Sequence, residues 1–190
     1  MPTLRRTLSK MMAKHHNFMT CPTKQPKTQP FLPSMIVFDL DDCLWTPEMF
    51  LLPERPSIPI EGDLNPKEKG EVGTIGLKVA RPNGETVRLF DSAREVLREI
   101  ALNPKYQGIV IGAASSSSVP DYSRACLDIE VLPELTLRQM IKYDQIGRTG
   151  ELSDRKTSHF GLLRRDSGIK YEEMLFFDGK QCKTWFCDGN

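Results

Sequence analysis

Two aspartates one residue apart, Asp39 and Asp41, directly follow the apolar run Met35–Phe38. Such a run predicts a buried strand of a parallel sheet, with the two carboxylates at its carboxyl end. Open α/β sheets place their active sites at that end. One carboxylate can attack phosphorus while the other protonates the leaving oxygen, so the pair indicates phosphoryl transfer. A solvated Asp-rich turn after a core strand is the alternative interpretation.

A divalent cation is expected beside these carboxylates, because two anions would otherwise repel an anionic phosphate. Mg2+, a hard cation that prefers oxygen ligands, fits best. The run Met174–Phe177 predicts another buried strand, and it also ends in a carboxylate, Asp178. Asp178 is therefore a candidate to complete a metal site with Asp39.

A hydroxyl and an ammonium group complete the set of candidate residues. The apolar segment Gly108–Ser115 predicts a strand that delivers Ser115 to its carboxyl end, where the hydroxyl can donate to a phosphoryl oxygen. Lys156 opens a helical pattern, and its charge can neutralise a transferring phosphoryl group. The alternative for Lys156 is an ordinary surface charge, since the chain has 26 Lys and Arg residues.

The order of these pieces resembles the haloacid dehalogenase (HAD) superfamily, and within it the small magnesium-dependent phosphatases. The resemblance covers about residues 35 to 178. It is carried by Phe38–Asp41 followed by Leu44–Trp45, Ala113–Ser115, Lys156 with Ser158–Phe160, Ser167–Tyr171 and Met174–Asp178.

The resemblance implies a Rossmann-like three-layer α/β/α fold with a central parallel sheet and no large cap domain. It implies that Asp39 is the nucleophile of an aspartyl-phosphate intermediate and Asp41 the general acid/base. The substrate-binding residues that it implies are Ser115, Ser116 and Lys156. Mg2+ would bind Asp39, the backbone carbonyl of Asp41, and Asp178.

The implied activity is that of a phosphoric monoester hydrolase of the acid or protein-tyrosine type, acting on phosphotyrosine-type or sugar phosphates. The sequence departs from the family at Gly179, where a second acidic residue is usual, and beyond it the resemblance ends. Fewer acidic ligands weaken Mg2+ binding. A catalytically weak or inactive phosphate-binding truncated isoform is therefore the alternative. Activity gained in Gly179→Asp by an inactive parent would indicate a phosphatase disabled at this position.

The sequence predicts three regions: an extension over 1–34, a HAD-like phosphatase domain over 35–178 and an atypical C-terminal tail over 179–190. Residues 1–34 contain six Lys or Arg and no Asp or Glu, and they are rich in proline. This composition is typical of a disordered basic extension or of a transit peptide. We expect a cytoplasmic protein, or a mitochondrial or plastid one if the extension is a transit peptide.

The composition of the 190-residue chain is that of an ordinary globular domain, with 39% hydrophobic and 27% charged residues. The net charge of +1 favours neither nucleic acid nor an acidic partner. No apolar stretch is long enough to span a membrane. Five scattered cysteines without a Cys-x-x-Cys pair predict neither disulfides nor a zinc site. We expect a monomer whose partner is a phosphorylated small molecule or phosphoprotein.

The regions between the motifs give weaker patterns. Residues 46–73 predict a long loop near the site mouth, and residues 76–90 predict a hairpin that can act as a flap. A helix is predicted near 121–129. The segment 131–155 is ambiguous, with a possible short strand near 140–142.

Overall fold

The structure is a computed structural model that describes residues 32–65 and 67–179. The predictions for 1–31 and 180–190 lie outside the described residues. In chain order the strands are β1 Met35–Phe38, β2 Trp45–Thr46, β3 Pro56–Asp63, β4 Val72–Val79, β5 Thr86–Leu89, β6 Val110–Ser115, β7 Glu130–Leu132, β8 Leu135–Thr136, β9 Ile141–Ile146 and β10 Met174–Phe177. The α-helices are α1 Asp91–Leu102, α2 Pro120–Cys126, α3 Leu137–Met140 and α4 Lys156–Ser167.

A parallel sheet with the strand order β10-β1-β6-β9 forms the centre of the fold. In the register of β10, β1 and β6, Phe38 of β1 pairs with Phe177 of β10 on one side and with Ala113 of β6 on the other. The carboxyl ends of β1 and β10 therefore lie level, and β6 continues two residues further, to Ser115. The polar residues that follow each strand emerge at the same edge of the sheet.

Helices cover both faces of this sheet, because alternate residues of a strand point to opposite faces. Ile36 and Phe38 pack in a core cluster with Leu97 of α1. Met35 packs in a second cluster with Leu163 of α4. The predicted α/β fold with a central parallel sheet is confirmed.

A second, antiparallel sheet with the order β2-β5-β4-β3 follows β1 in the chain. The predicted hairpin is confirmed as β4 and β5, but the predicted loop over 46–73 is wrong, since it contains β3 and the start of β4. This strand was missed because Pro56 and Pro59 are not typical of a strand sequence. Proline is tolerated there because β3 is an edge strand. Among the described residues the segment between β1 and α1 forms this sheet and no large cap domain.

Two weaker sequence patterns correspond to elements beside the central sheet. The ambiguous segment 131–155 contains β9, which pairs in parallel with β6. The helix predicted near 121–129 is α2, which ends at Cys126. Within the part of the chain that the structure describes, no helix is both long and apolar enough to cross a membrane.

Candidate active site

A pocket of about 260 Å³ opens at the carboxyl edge of the parallel sheet. All six residues predicted from the sequence line it: Asp39, Asp41, Ser115, Ser116, Lys156 and Asp178. The parallel register of β1, β6 and β10 explains this, because each strand delivers its polar residue to the same edge.

Asp39 is held by an ion pair and by the backbone. Its Oδ1 lies 2.7 Å from Lys156 Nζ and accepts a hydrogen bond of 2.8 Å from the Leu40 amide. Lys156 Nζ also donates to the Ala114 carbonyl at 2.6 Å. Lys156 thus connects the first residue of α4 to the ends of β1 and β6, and its ammonium stands beside the candidate nucleophile.

Asp41 is oriented by the turn that follows it. Its Oδ1 accepts a hydrogen bond of 2.9 Å from Trp45 Nε1, and its Oδ2 accepts one of 3.1 Å from the Met49 amide. Trp45 is fully buried, so its indole is a rigid donor. The carboxylate of Asp41 is therefore fixed at the pocket rather than free to rotate into solvent.

Burial raises the pKa of both carboxyl groups. For Asp39 this effect exceeds the opposing influence of Lys156, and the charge of Asp178 raises the pKa further. For Asp41, burial outweighs the hydrogen bonds from Trp45 and Met49, which lower its pKa. A group that holds a proton more readily than an ordinary aspartate suits general acid work by Asp41.

A buried histidine fixes the end of β6 through hydrogen bonds. His159, on α4, has no exposed surface, and its Nε2 lies 3.0 Å from the carbonyl oxygens of both Ser115 and Gly147. Two acceptors face this nitrogen, so it carries the proton and donates to them. The Ser115 carbonyl also accepts a hydrogen bond of 2.8 Å from the Gly147 amide. His159 therefore positions the backbone around Ser115.

The carboxylates of Asp39 and Asp178 are the acidic groups that suit a cation here. The charge of Asp178 raises the pKa of Asp39, so the two groups repel each other and a cation would relieve this repulsion. The described residues contain no group of three or more His, Cys, Asp or Glu side chains arranged to hold a metal. Mg2+ often binds through one or two carboxylates and several waters, so this donor set fits it.

Gly179 packs directly against the turn that carries the aspartate pair. A Cβ at this position would lie 1.9 Å from the backbone oxygen of Asp42 and 3.1 Å from the amide nitrogen of Cys43. Contacts this short with backbone atoms require the chain to move. An aspartate at 179 therefore cannot add a metal ligand without moving this turn.

We expect Gly179→Ala and Gly179→Asp to lower the free energy of unfolding by about 1–3 kcal/mol, the usual cost of overpacking. Urea denaturation measures the change. Gly161→Ala is the matched control, because an added Cβ meets no atom within 4 Å there, and alanine favours the helix. Equal stability of Gly179→Ala and the parent would show that the turn accommodates the added Cβ without a loss in the free energy of unfolding.

Two thiols lie near the site, the half-buried Cys43 and the buried Cys126. Burial raises the pKa of Cys43 and of Cys126 from 9.0 to about 12, and for Cys43 the charges of Asp39 and Asp178 add to the effect. Both therefore stay protonated at neutral pH. Since the thiols of the unfolded chain ionise near their ordinary pKa, these two groups make the fold less stable as the pH rises from about 9 towards 12.

We expect iodoacetamide to alkylate Cys43 and Cys126 of the folded protein about 10³-fold more slowly at pH 8 than in the urea-unfolded chain, because the thiolate is the reactive form. Mass mapping of the two cysteine peptides over time measures the rates. Labelling of Cys126 at the same rate in both states would contradict this protection.

Five further residues line the pocket that the sequence did not single out: Glu48, Phe50, Ser117, Ser118 and Arg148. The serines continue the run that begins at Ser115, so that run was an available signal. Arg148 follows β9, whose extent the sequence left ambiguous. Glu48 and Phe50 belong to the predicted loop, and Phe50 is 59% exposed.

Comparison with known proteins gives three results. A family model described as Acid Phosphatase matches residues 31–185. A HAD-like hydrolase superfamily protein of Schizosaccharomyces pombe is 26% identical over 150 residues, which cover 77% of this chain and 75% of that protein. A crystal structure of part of a Bacteroides fragilis protein, containing a phosphatase domain complexed with Mg, matches with a TM-score of 0.42 and 14% identity.

The extent of these matches differs. The match to the Bacteroides structure covers 77% of this chain but only 31% of the other chain, and its similarity is too low to support an argument. The family match covers β1 to β10 and therefore every predicted site residue. It agrees with the predicted resemblance to HAD phosphatases, which is confirmed. The chain belongs to the Acid Phosphatase family.

Proposed function

We propose that this chain is a magnesium-dependent phosphatase that hydrolyses phosphate monoesters through an aspartyl-phosphate intermediate. The observation that carries the proposal is the convergence of Asp39, Asp41, Ser115 and Lys156 on one pocket at the carboxyl edge of the sheet. The pocket combines a nucleophile, a proton donor and phosphate-binding groups.

The first half of the reaction transfers the phosphoryl group to the enzyme. A carboxylate oxygen of Asp39 attacks phosphorus, and the bond from phosphorus to the ester oxygen breaks. Asp41 donates its proton to the departing oxygen, which leaves as an alcohol. The Ser115 and Ser116 hydroxyls and the Lys156 ammonium bind the phosphoryl oxygens as negative charge shifts onto them.

The second half regenerates the enzyme. Asp41, now a carboxylate, takes a proton from a water molecule. The resulting hydroxide attacks phosphorus, and the bond to Asp39 breaks to release inorganic phosphate. Asp41 again carries a proton, so the cycle is balanced in atoms and charge.

Asp39, Asp178 and the backbone carbonyl of Asp41 would hold Mg2+, which when bound supplies positive charge to the anionic phosphate. Asp39 and Asp178 repel each other, which raises the pKa of Asp39, and this repulsion supports the placement of Mg2+ between them. The exposed ring of Phe50 is part of the pocket lining, and we expect phosphotyrosine-type or sugar phosphates as substrates.

The test is hydrolysis of para-nitrophenyl phosphate by the full chain with Mg2+ and with EDTA, followed by a phosphotyrosine peptide and a sugar phosphate. Acid quenching during turnover and mass mapping should find a phosphoryl group on the peptide that contains Asp39. Turnover that is equal with EDTA would refute the magnesium requirement, and turnover without a phosphorylated peptide would argue against the covalent intermediate.

A catalytically weak or inactive phosphate-binding protein is the second candidate. It is favoured by Gly179, which adds no carboxylate to the pair formed by Asp39 and Asp178. Calorimetric titration with inorganic phosphate and Mg2+ distinguishes the two functions. Phosphate binding without any turnover of the three ester substrates would favour the binding protein.

We expect Trp45→Phe to lower kcat about 10-fold with little change in KM. Phenylalanine keeps most of the buried ring but removes the indole hydrogen bond that orients Asp41. Loss of one hydrogen bond to a charged group is worth about 1.5 kcal/mol, which corresponds to this factor.

The control for Trp45→Phe is Leu97→Ala, which creates a cavity in the core beside α1 but removes no hydrogen bond to Asp41. It should lower stability but leave kcat and KM near those of the parent. An unchanged kcat in Trp45→Phe would mean that the indole does not position the general acid.

A further inference from the structure

A guanidinium group at the pocket has no part in the proposed reaction. Arg148 lines the pocket together with the candidate catalytic residues. Its Nε donates a hydrogen bond to the Ser116 carbonyl, the backbone of a proposed phosphate-binding residue. The side chain is exposed to solvent, and this hydrogen bond holds it at the pocket.

The backbone beneath Arg148 is also fixed. Gly147 has a φ of 120°, a conformation that favours glycine. Its amide donates to the Ser115 carbonyl, and its own carbonyl receives a hydrogen bond from the buried His159. The backbone at Arg148 thus belongs to the same hydrogen-bond network that positions Ser115. The distance between Arg148 and the phosphate-binding end of the pocket is therefore well defined.

The charged groups of the pocket leave the Arg148 guanidinium available to bind an anion. Among the described residues, two cations line the pocket, and Lys156 is already paired with Asp39 at 2.7 Å. In the chain as described, no carboxylate lies within 4.0 Å of the Arg148 nitrogens, and its two terminal nitrogens make no hydrogen bond to protein. A planar fork of this kind binds carboxylate or phosphate through two parallel hydrogen bonds.

We propose that Arg148 binds a second anionic group on the organic part of the substrate. The preferred substrates are then phosphate monoesters that carry a further carboxylate or phosphate group. This inference rests on the proposed phosphatase function, because it assigns the reacting phosphoryl group to Ser115, Ser116 and Lys156. Arg148, bound to the Ser116 carbonyl, recognises the part of the substrate beyond that group.

Non-hydrolysable ligands test this without relying on turnover. Calorimetry with Mg2+ compares benzylphosphonate with its ortho, meta and para carboxylated forms, and with forms that carry a second phosphonate. We expect at least one doubly anionic ligand to bind the parent protein about 10-fold more tightly than benzylphosphonate. Whether the carboxylated or the doubly phosphonated form is preferred identifies the second anion.

The variants are Arg148→Gln, Arg148→Lys and the surface control Arg165→Gln. The affinity for the doubly anionic ligand divided by that for benzylphosphonate should fall to about 1 in Arg148→Gln. This ratio should be partly retained in Arg148→Lys and unchanged in Arg165→Gln. Absence of any preference in the parent protein would overturn the proposal. So would equal weakening of all ligands in Arg148→Gln, because Arg148 would then hold the reacting phosphoryl group.

Failure of the phosphatase proposal is recognised separately. If no ester is hydrolysed but the preference for doubly anionic phosphonates is present and requires Arg148, the chain binds such compounds without turnover. Arg148 then keeps its assigned role while the proposed reaction is refuted.

Discussion

Asp39→Asn is expected to reduce Mg2+-dependent hydrolysis of para-nitrophenyl phosphate by about 10³-fold or more, the scale of loss when a nucleophile is removed. The amide cannot form the covalent intermediate. It also removes the charge that pairs with Lys156 and one proposed ligand for Mg2+. Steady-state rates at saturating Mg2+ measure the effect, and the phosphorylated peptide should be absent after acid quenching.

The control for Asp39→Asn is Asp128→Asn, which replaces an exposed aspartate that pairs with Arg138. This substitution also removes one negative charge from the protein but does not touch the pocket. It should leave kcat and KM near the parent values. Comparable turnover by Asp39→Asn and Asp128→Asn would exclude Asp39 as the nucleophile.

Lys156→Met is expected to lower both activity and stability. Asp39 would lose the ion pair at 2.7 Å while remaining largely buried, with only 17% of its side chain exposed. Leaving a buried charge without its partner costs about 2–5 kcal/mol, and partial solvent access places the expected loss near 2 kcal/mol. Burial already raises the pKa of Asp39, so protonation of this carboxyl would limit the cost.

Urea denaturation and turnover of the same samples measure both effects of Lys156→Met. The double variant Asp39→Asn/Lys156→Met removes both charges and should recover part of the lost stability without recovering activity. A double variant that is less stable than Lys156→Met would contradict the unpaired-charge explanation. A single variant as active as the parent would exclude Lys156 from phosphate binding.

The strands that carry the candidate site could be predicted because their patterns are local. Continuous apolar runs mark β1 and β10, and each is followed by an aspartate. The helix predicted to open at Lys156 does so in α4. These signals depend on a few neighbouring residues, so the chain reveals them without any knowledge of its partners.

The second sheet illustrates what local patterns miss. The prolines of β3 contradict the usual composition of a strand, yet the strand forms because β4 supplies its hydrogen-bonding partner along one side. Glu48 and Phe50 reach the pocket from the region predicted as a loop. The hairpin predicted as a flap contributes no residue to the described lining of the pocket.

The sequence alone determined β1, β6, β10, the start of α4 and the chemical groups at their ends, namely Asp39, Asp41, Ser115, Lys156 and Asp178. Tertiary structure alone decided that β1, β6 and β10 end side by side at one edge, that Gly179 leaves no room for a side chain, and that Arg148 joins the pocket. Those features depend on contacts between residues that are far apart in the chain. Their register and spacing arise from packing, which neighbouring residues do not encode.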